Sequence, residues 1–122
     1  MLVAKEGYYP EERCESIPSE YLSKYFDKVD GGYKIKDFYK KFIRFDYHNL
    51  KNDNGERDFD IIFCRNVIIY FDKKAQEEVI EKFHVGLNKD GYLFLGHSES
   101  LYGMKTGFKF TKSGDACLYR II

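Results

Sequence analysis

The segment Phe59-Asp60-Ile61-Ile62-Phe63-Cys64-Arg65-Asn66 constrains this chain more than any other, because five of its eight residues are apolar and nearly contiguous. A strand with one wet face alternates apolar and polar residues. A run that is apolar on both faces predicts a central parallel strand covered by helices on either side. Downstream, Lys73 to Leu87 carries Ala75, Val79, Ile80, Phe83 and Leu87 at helical spacing, with Asp72 as N-cap and Glu77 to Glu81 on the solvated face. Asn88-Lys89-Asp90-Gly91 stops that helix, and Tyr92-Leu93-Phe94-Leu95 is a second buried strand. Together these pieces predict a strand-helix-strand unit of the parallel, right-handed kind. Phe108 to Thr111 and Ala116 to Ile122, separated by Lys112-Ser113-Gly114-Asp115, add an antiparallel hairpin that closes the sheet edge.

The first third is polar and mixed in charge. Its clearest element is a short helix over Pro18 to Phe26, with Ser16 as cap, Pro18 in the first turn and a stripe of Leu22, Tyr25 and Phe26. Asp30-Gly31-Gly32 is a turn, and the alternation of Tyr33-Lys34-Ile35-Lys36 predicts a strand with one wet face. Residues 38 to 47 end in a strand-like alternation of Phe42, Arg44, Phe45 and Tyr47, and Asn49 to Asp58 is a surface loop.

At 122 residues there is room for one small domain. The 20 Lys and Arg balance the 20 Asp and Glu, so no long-range field draws the chain to phosphate backbones or anionic membranes, and no nucleic-acid partner is expected. The basic, aromatic stretch Tyr33 to Arg44 has Asp27, Asp30, Asp37 and Asp46 beside it and reads as a solvated sheet face. With 43% hydrophobic residues the chain is globular, and it holds neither an apolar run near the length of a membrane span nor a signal-peptide pattern. No membrane insertion is expected, and a cytoplasmic location is the default. Cys14, Cys64 and Cys117 are widely spaced and read as buried thiols, while His48, His84 and His97 lack ligand spacing, so no metal site is expected.

In open parallel sheets ligands bind beyond the carboxyl ends of the strands. The residues delivered there are Asn49 and Leu50, Arg65 and Asn66, and Gly96 to Glu99. Arg65 and Asn66 carry a cation and an amide to the sheet edge, where they serve a ligand or cap a neighbouring element. Gly96-His97-Ser98-Glu99-Ser100 holds the residue types of a hydrolytic triad, but neighbours on one strand end point in different directions and no G-x-S-x-G elbow precedes them. Ser98 or Ser100 capping a short helix is the simpler reading. Neither G-x-G-x-x-G nor G-x-x-x-x-G-K occurs.

The run from Phe59 through Cys64-Arg65-Asn66-Val67-Ile68-Ile69-Tyr70-Phe71-Asp72, then Gln76, then Leu87 to Leu101 with Gly96-His97-Ser98-Glu99, resembles the carboxyl half of CheR-type chemotaxis receptor methyltransferases. Ala4-Lys5-Glu6-Gly7-Tyr8-Tyr9, Ile17-Pro18, Tyr25-Phe26, and Phe45 with Asn49-Leu50 follow in the same order, so the resemblance covers nearly the whole chain. It implies an α/β fold of the class I S-adenosylmethionine-dependent, Rossmann-like kind, with family strand order 3-2-1-4-5-7-6. It implies methylation of glutamate side chains on the cytoplasmic domain of chemotaxis receptors, with S-adenosylhomocysteine as product. Asn49, Leu50, Arg65 and Asn66 would line the cofactor pocket, and Tyr70 would be a positioning residue near the methyl group.

By the same resemblance the amino-terminal helical domain, the first strand with its glycine loop and the second strand with its ribose carboxylate are absent. Residues 1–122 would then be the carboxyl-terminal part of the catalytic domain, with an incomplete sheet lacking its first two strands and a small antiparallel β subdomain over about 29–44. The chain alone would be inactive and would bind S-adenosylmethionine weakly or not at all, and its open sheet edge would drive self-association. The span between Phe26 and Asn49 is short for docking a receptor-tail peptide. Two rival readings stand beside this one: a non-catalytic interaction module derived from such an enzyme, and a methyltransferase of the same fold with another substrate.

Overall fold

The computed structural model describes residues 1–114 and 116–122, so Asp115 of the expected hairpin turn and the side chain of Cys117 lie outside the described residues. The chain divides into two compact units, Met1–Tyr47 and His48–Ile122, where its length alone suggested one.

In the first unit, a helix α1 (Leu2–Glu6) leads into β1 (Tyr8–Pro10), a 3-10 turn and the helix α2 (Ser19–Tyr25). α2 is the expected short helix, but Pro18 occupies its N-cap position and Ser16 does not cap it. β2 (Phe26–Val29) follows without a break and turns through Gly31, at φ 77°, into β3 (Gly32–Ile35). β3 is the centre of an antiparallel sheet in the order β1-β3-β2. A Cβ on Gly32 would come within 2.2 Å of the Tyr9 carbonyl oxygen, so only glycine lets β1 approach so closely. The antiparallel sheet expected over about 29–44 thus lies at Tyr8–Ile35, and its β1 was too short to show a period.

The strand expected at Phe42 to Tyr47 does not form. After the single-turn helix α3 (Asp37–Lys40), residues 43–49 have no regular structure, and Phe42, Ile43, Phe45 and Tyr47 are exposed. A strand exists only as a pairing, and among the described residues this segment has no neighbour to supply its ladder.

The second unit carries the strand-helix-strand unit. β4 (Phe59–Cys64) pairs in parallel with β5 (Leu87–Leu95), and α4 (Lys73–Gly86) connects them. Asp72 caps α4, accepting from the Ala75 amide at 2.8 Å. Val79 and Ile80, fully buried on its apolar face, pack with Leu87, Leu93, Leu95 and Cys64 into the core. The turn signal at Asn88 to Gly91 survives inside β5: the register jumps from Phe59↔Leu87 to Ile61↔Tyr92, and Asn88 Oδ1 accepts from the Asp90 amide at 3.0 Å. The hairpin β6 (Phe108–Ser113) and β7 (Ala116–Ile121) attaches through β7, giving a mixed sheet in the order β4-β5-β7-β6. This is an α/β fold whose strand order matches the 4-5-7-6 side of the expected family sheet.

β4 is an edge strand among the described residues rather than a central one. Ile62 and Cys64 face the core, while Phe59, Ile61 and Phe63 are 41%, 48% and 68% exposed. The Phe63 ring stacks on Phe94, with centroids 4.8 Å apart.

Candidate functional site

β4 ends at the buried Cys64, and the chain leaves the sheet through Arg65 and Asn66. Asn66 takes the left-handed conformation, φ 60°, which asparagine tolerates better than most residues. The backbone then coils into one 3-10 turn, Ile68–Tyr70, that drives Ile68 into the core and leaves Tyr70 80% exposed. Gln76 of α4 braces the turn, donating from Nε2 to the Ile68 carbonyl at 2.7 Å.

What organises this segment is a carboxylate from the end of β5. Glu99, 8% exposed, reaches back across the sheet end. Its Oε1 accepts from the Asn66 and Gly96 amides at 2.7 and 2.8 Å, and its Oε2 from the amides of Val67, Ile68 and Ile69 at 3.0, 2.8 and 3.3 Å. The first amides of a helical turn have no partner within the turn, and Glu99 satisfies them from another part of the chain. Burial opposes its charge, but the donated amides of Gly96, Asn66, Val67 and Ile69 outweigh that and hold the carboxyl below its ordinary value. Gly96 is where the two strand ends meet. A Cβ there would lie 2.4 Å from Asn66 Oδ1 and 3.0 Å from the Asn66 nitrogen.

The sequence places Glu99 among the candidates at the end of β5, but not in the role of holding the segment after β4. The stretch Gly96 to Ser100 was weighed for a triad, and Glu99 is fully engaged by backbone amides, so it does not orient His97. Ser100 caps no helix: its Oγ accepts from the Tyr102 amide at 3.1 Å and closes a turn. No local spacing marked that role: Glu99 stands four residues past the end of β5, and the amides it holds after β4 are 30 to 33 residues away. Burial, and then the nearby Glu99 charge, push the Cys64 thiol up to about 11, which leaves it an unreactive, protonated core side chain.

Two hollows flank the sheet. A cleft of about 910 Å³ is lined by Arg65, Gly96, His97, Ser100 and the rings of Phe63 and Phe94. A smaller one of about 280 Å³ is lined by Leu50, His48, Phe59, Lys82 and the Asp53–Arg57 pair, which is bidentate at 2.7 and 3.0 Å. The Arg57 hydrogen bond, aided by the Gly55 amide, holds Asp53 well below the usual carboxylate range.

The five sequence-derived site residues therefore fall in two places. Arg65, Asn66 and Tyr70 share the segment after β4; Arg65 lines the larger cleft. Asn49 and Leu50 belong to the loop before β4, where Asn49 Oδ1 accepts from the Lys51 amide at 3.0 Å and Leu50 lines the smaller hollow and packs against the core. Among the described residues no three His, Cys, Asp or Glu side chains gather as a metal site, and no helix is long and apolar enough to cross a membrane.

Comparison with known proteins gives this geometry a family. Residues 1–117 match the family described as CheR methyltransferase, SAM binding domain. A chemotaxis protein methyltransferase of Borreliella burgdorferi is 41% identical over 105 residues, covering 84% of this chain and 37% of the relative. Chemotaxis protein methyltransferase 2 of Vibrio cholerae is 37% identical over 117 residues, covering 90% and 41%. A chemotaxis protein methyltransferase of Listeria monocytogenes is 35% identical, covering 82% and 40%. The chain spans about two fifths of the length of these curated relatives. S-adenosylmethionine is the cofactor of the matched domain family, and with a matching strand order and the C-R-N-x-x-I-Y-F and G-H-S-E segments in place, the chain belongs to the CheR methyltransferase family, in its S-adenosylmethionine-binding domain.

Proposed function

We propose that this chain is part of a longer enzyme that methylates glutamate side chains on the cytoplasmic domain of chemotaxis receptors. The observation that carries the reading is the segment after β4. It presents Arg65, Asn66 and Tyr70 from a locked backbone at the carboxyl end of a parallel strand, the place where sheets of this type bind ligands.

The donor set fits part of the cofactor. The amides of Asn66 and Asn49 can each donate and accept, Leu50 offers apolar contact, and the Tyr70 ring can face a cation without taking part covalently. When bound, S-adenosylmethionine supplies an electrophilic methyl group on a positively charged sulfur. The acceptor, a glutamate carboxylate with an ordinary pKa of about 4.3, is already ionised at neutral pH. With the cofactor bound, that carboxylate would take the methyl group directly and become a neutral ester. No proton moves, so these residues act by orienting the reactants and excluding water rather than by acid-base work. That accounts for a site built of an amide, a guanidinium and a ring.

A chimera in which this chain replaces the matching portion of the Borreliella burgdorferi relative tests the reading. It should transfer radiolabelled methyl groups to receptor cytoplasmic fragments as base-labile esters, with Arg65→Ala and Asn66→Ala each reducing the rate. A folded, cofactor-binding chimera that labels no glutamate would overturn the substrate assignment and favour a methyltransferase acting elsewhere.

A further inference from the structure

We propose that Glu99 is a positioning residue of the cofactor site, acting through the backbone of Asn66 to Ile69 to set where Asn66 and Tyr70 stand. The proposal rests on the cofactor reading above and adds to it a residue whose carboxylate oxygens are taken up by backbone amides.

Three observations carry it. First, the five donors to Glu99 come from both strand ends: Gly96 after β5, and Asn66, Val67, Ile68 and Ile69 after β4. One side chain therefore fixes the spacing of the two segments that bound the carboxyl end of the sheet. Second, the residue it grips first, Asn66, holds a left-handed backbone, a conformation that persists in a non-glycine residue only when its surroundings impose it. The grip and the strained residue coincide. Third, Tyr70 has no buried anchor of its own. It is 80% exposed, and its place is set by the 3-10 turn whose leading amides Glu99 holds and whose Ile68 carbonyl Gln76 holds. The backbone bond from the Tyr70 amide to the Val67 carbonyl, 3.3 Å, completes that turn.

The chemistry of the grip is specific. A carboxylate offers lone pairs on both oxygens, and here each oxygen takes at least two amide donors. Glutamine keeps the length but places an NH2 group, which cannot accept, against one of the two sets. Aspartate keeps both acceptors but falls one methylene short. Glu99→Gln should thus free one group of amides, and Glu99→Asp should loosen both while keeping the charge.

The test is a titration of the isotope-labelled chain with S-adenosylhomocysteine to millimolar concentration, followed by nuclear magnetic resonance. It reads the Asn66 side-chain amide and the Tyr70 ring, with the core signals of Val79, Ile80 and Leu93 as the folding control. The expected result is a ligand response at Asn66 and Tyr70 whose initial slope falls about tenfold in Glu99→Gln and less in Glu99→Asp, with the core signals retained. A purely stabilising role would leave that slope unchanged, so equal slopes in wild type and Glu99→Gln overturn the proposal and leave the cofactor reading standing. If Glu99→Gln does not fold, equal slopes in wild type and Glu99→Asp overturn it instead. Where the chain alone gives no response, the slopes are read in the Borreliella burgdorferi chimera, and no response at Asn66 or Tyr70 in that wild-type chimera overturns the cofactor reading, and the proposal with it.

Discussion

Five backbone amides converge on Glu99 at the meeting point of two strand ends, and the two residues most sensitive to substitution there are Glu99 and Gly96. Replacing Glu99 by glutamine strands buried donors, which costs about 1–3 kcal/mol of stability at neutral pH. The folded carboxyl titrates below its ordinary value. Its stabilisation is therefore complete above the unfolded value, about 4.3, and is lost as the pH falls through the lower folded value. Urea unfolding of wild type and Glu99→Gln should show a stability gap that is constant from neutral pH to near 5 and closes in acid; a gap independent of pH would contradict this. Gly96→Ala pushes a methyl group against the Asn66 amide and should lower stability by about 1–3 kcal/mol, read as a reduced unfolding midpoint. None of this was legible from spacing. The contact joins residues 30 to 33 positions apart, and no local pattern marks which acid will reach which amide.

The elements were legible where a period was long enough to be read. α4 and its Asp72 cap, the parallel β4 and β5, and the β6–β7 hairpin all follow from hydrophobic spacing and turn chemistry. The strand expected at Phe42 to Tyr47 failed because alternation proposes a face but supplies no partner, and the three-residue β1 escaped because it is too short to alternate. β4 shows the same lesson from the other side. Its run of apolar residues predicted cover on both faces, yet Phe59, Ile61 and Phe63 remain exposed along an open edge. Unpaired strand edges with apolar side chains template association. Light scattering of the chain should show a concentration-dependent rise above the monomer mass that Phe63→Lys suppresses, since a charge on the edge blocks a second strand. A strictly monomeric wild-type chain at high concentration would contradict that expectation.

At the scale of the molecule, the chain is two compact units, and the residues proposed to meet S-adenosylmethionine all lie in the second, His48–Ile122. The family was legible in the sequence because C-R-N-x-x-I-Y-F and G-H-S-E are short, contiguous motifs, whereas the division into two units was not, since no Pro- or Ser-rich linker marks the boundary near Tyr47. The chain supplies about two fifths of the length of its curated relatives, so its share of the cofactor contacts is expected to bind weakly alone and tightly when the rest of a relative is joined to it. Calorimetric titration with S-adenosylmethionine of the isolated chain, the Borreliella burgdorferi chimera and the chimera carrying Asn66→Ala tests this most directly. The account predicts a dissociation constant of about 100 μM or weaker for the chain, micromolar binding for the chimera, and about a tenfold loss on Asn66→Ala. Micromolar binding by the isolated chain, or a chimera indifferent to Asn66→Ala, would contradict it.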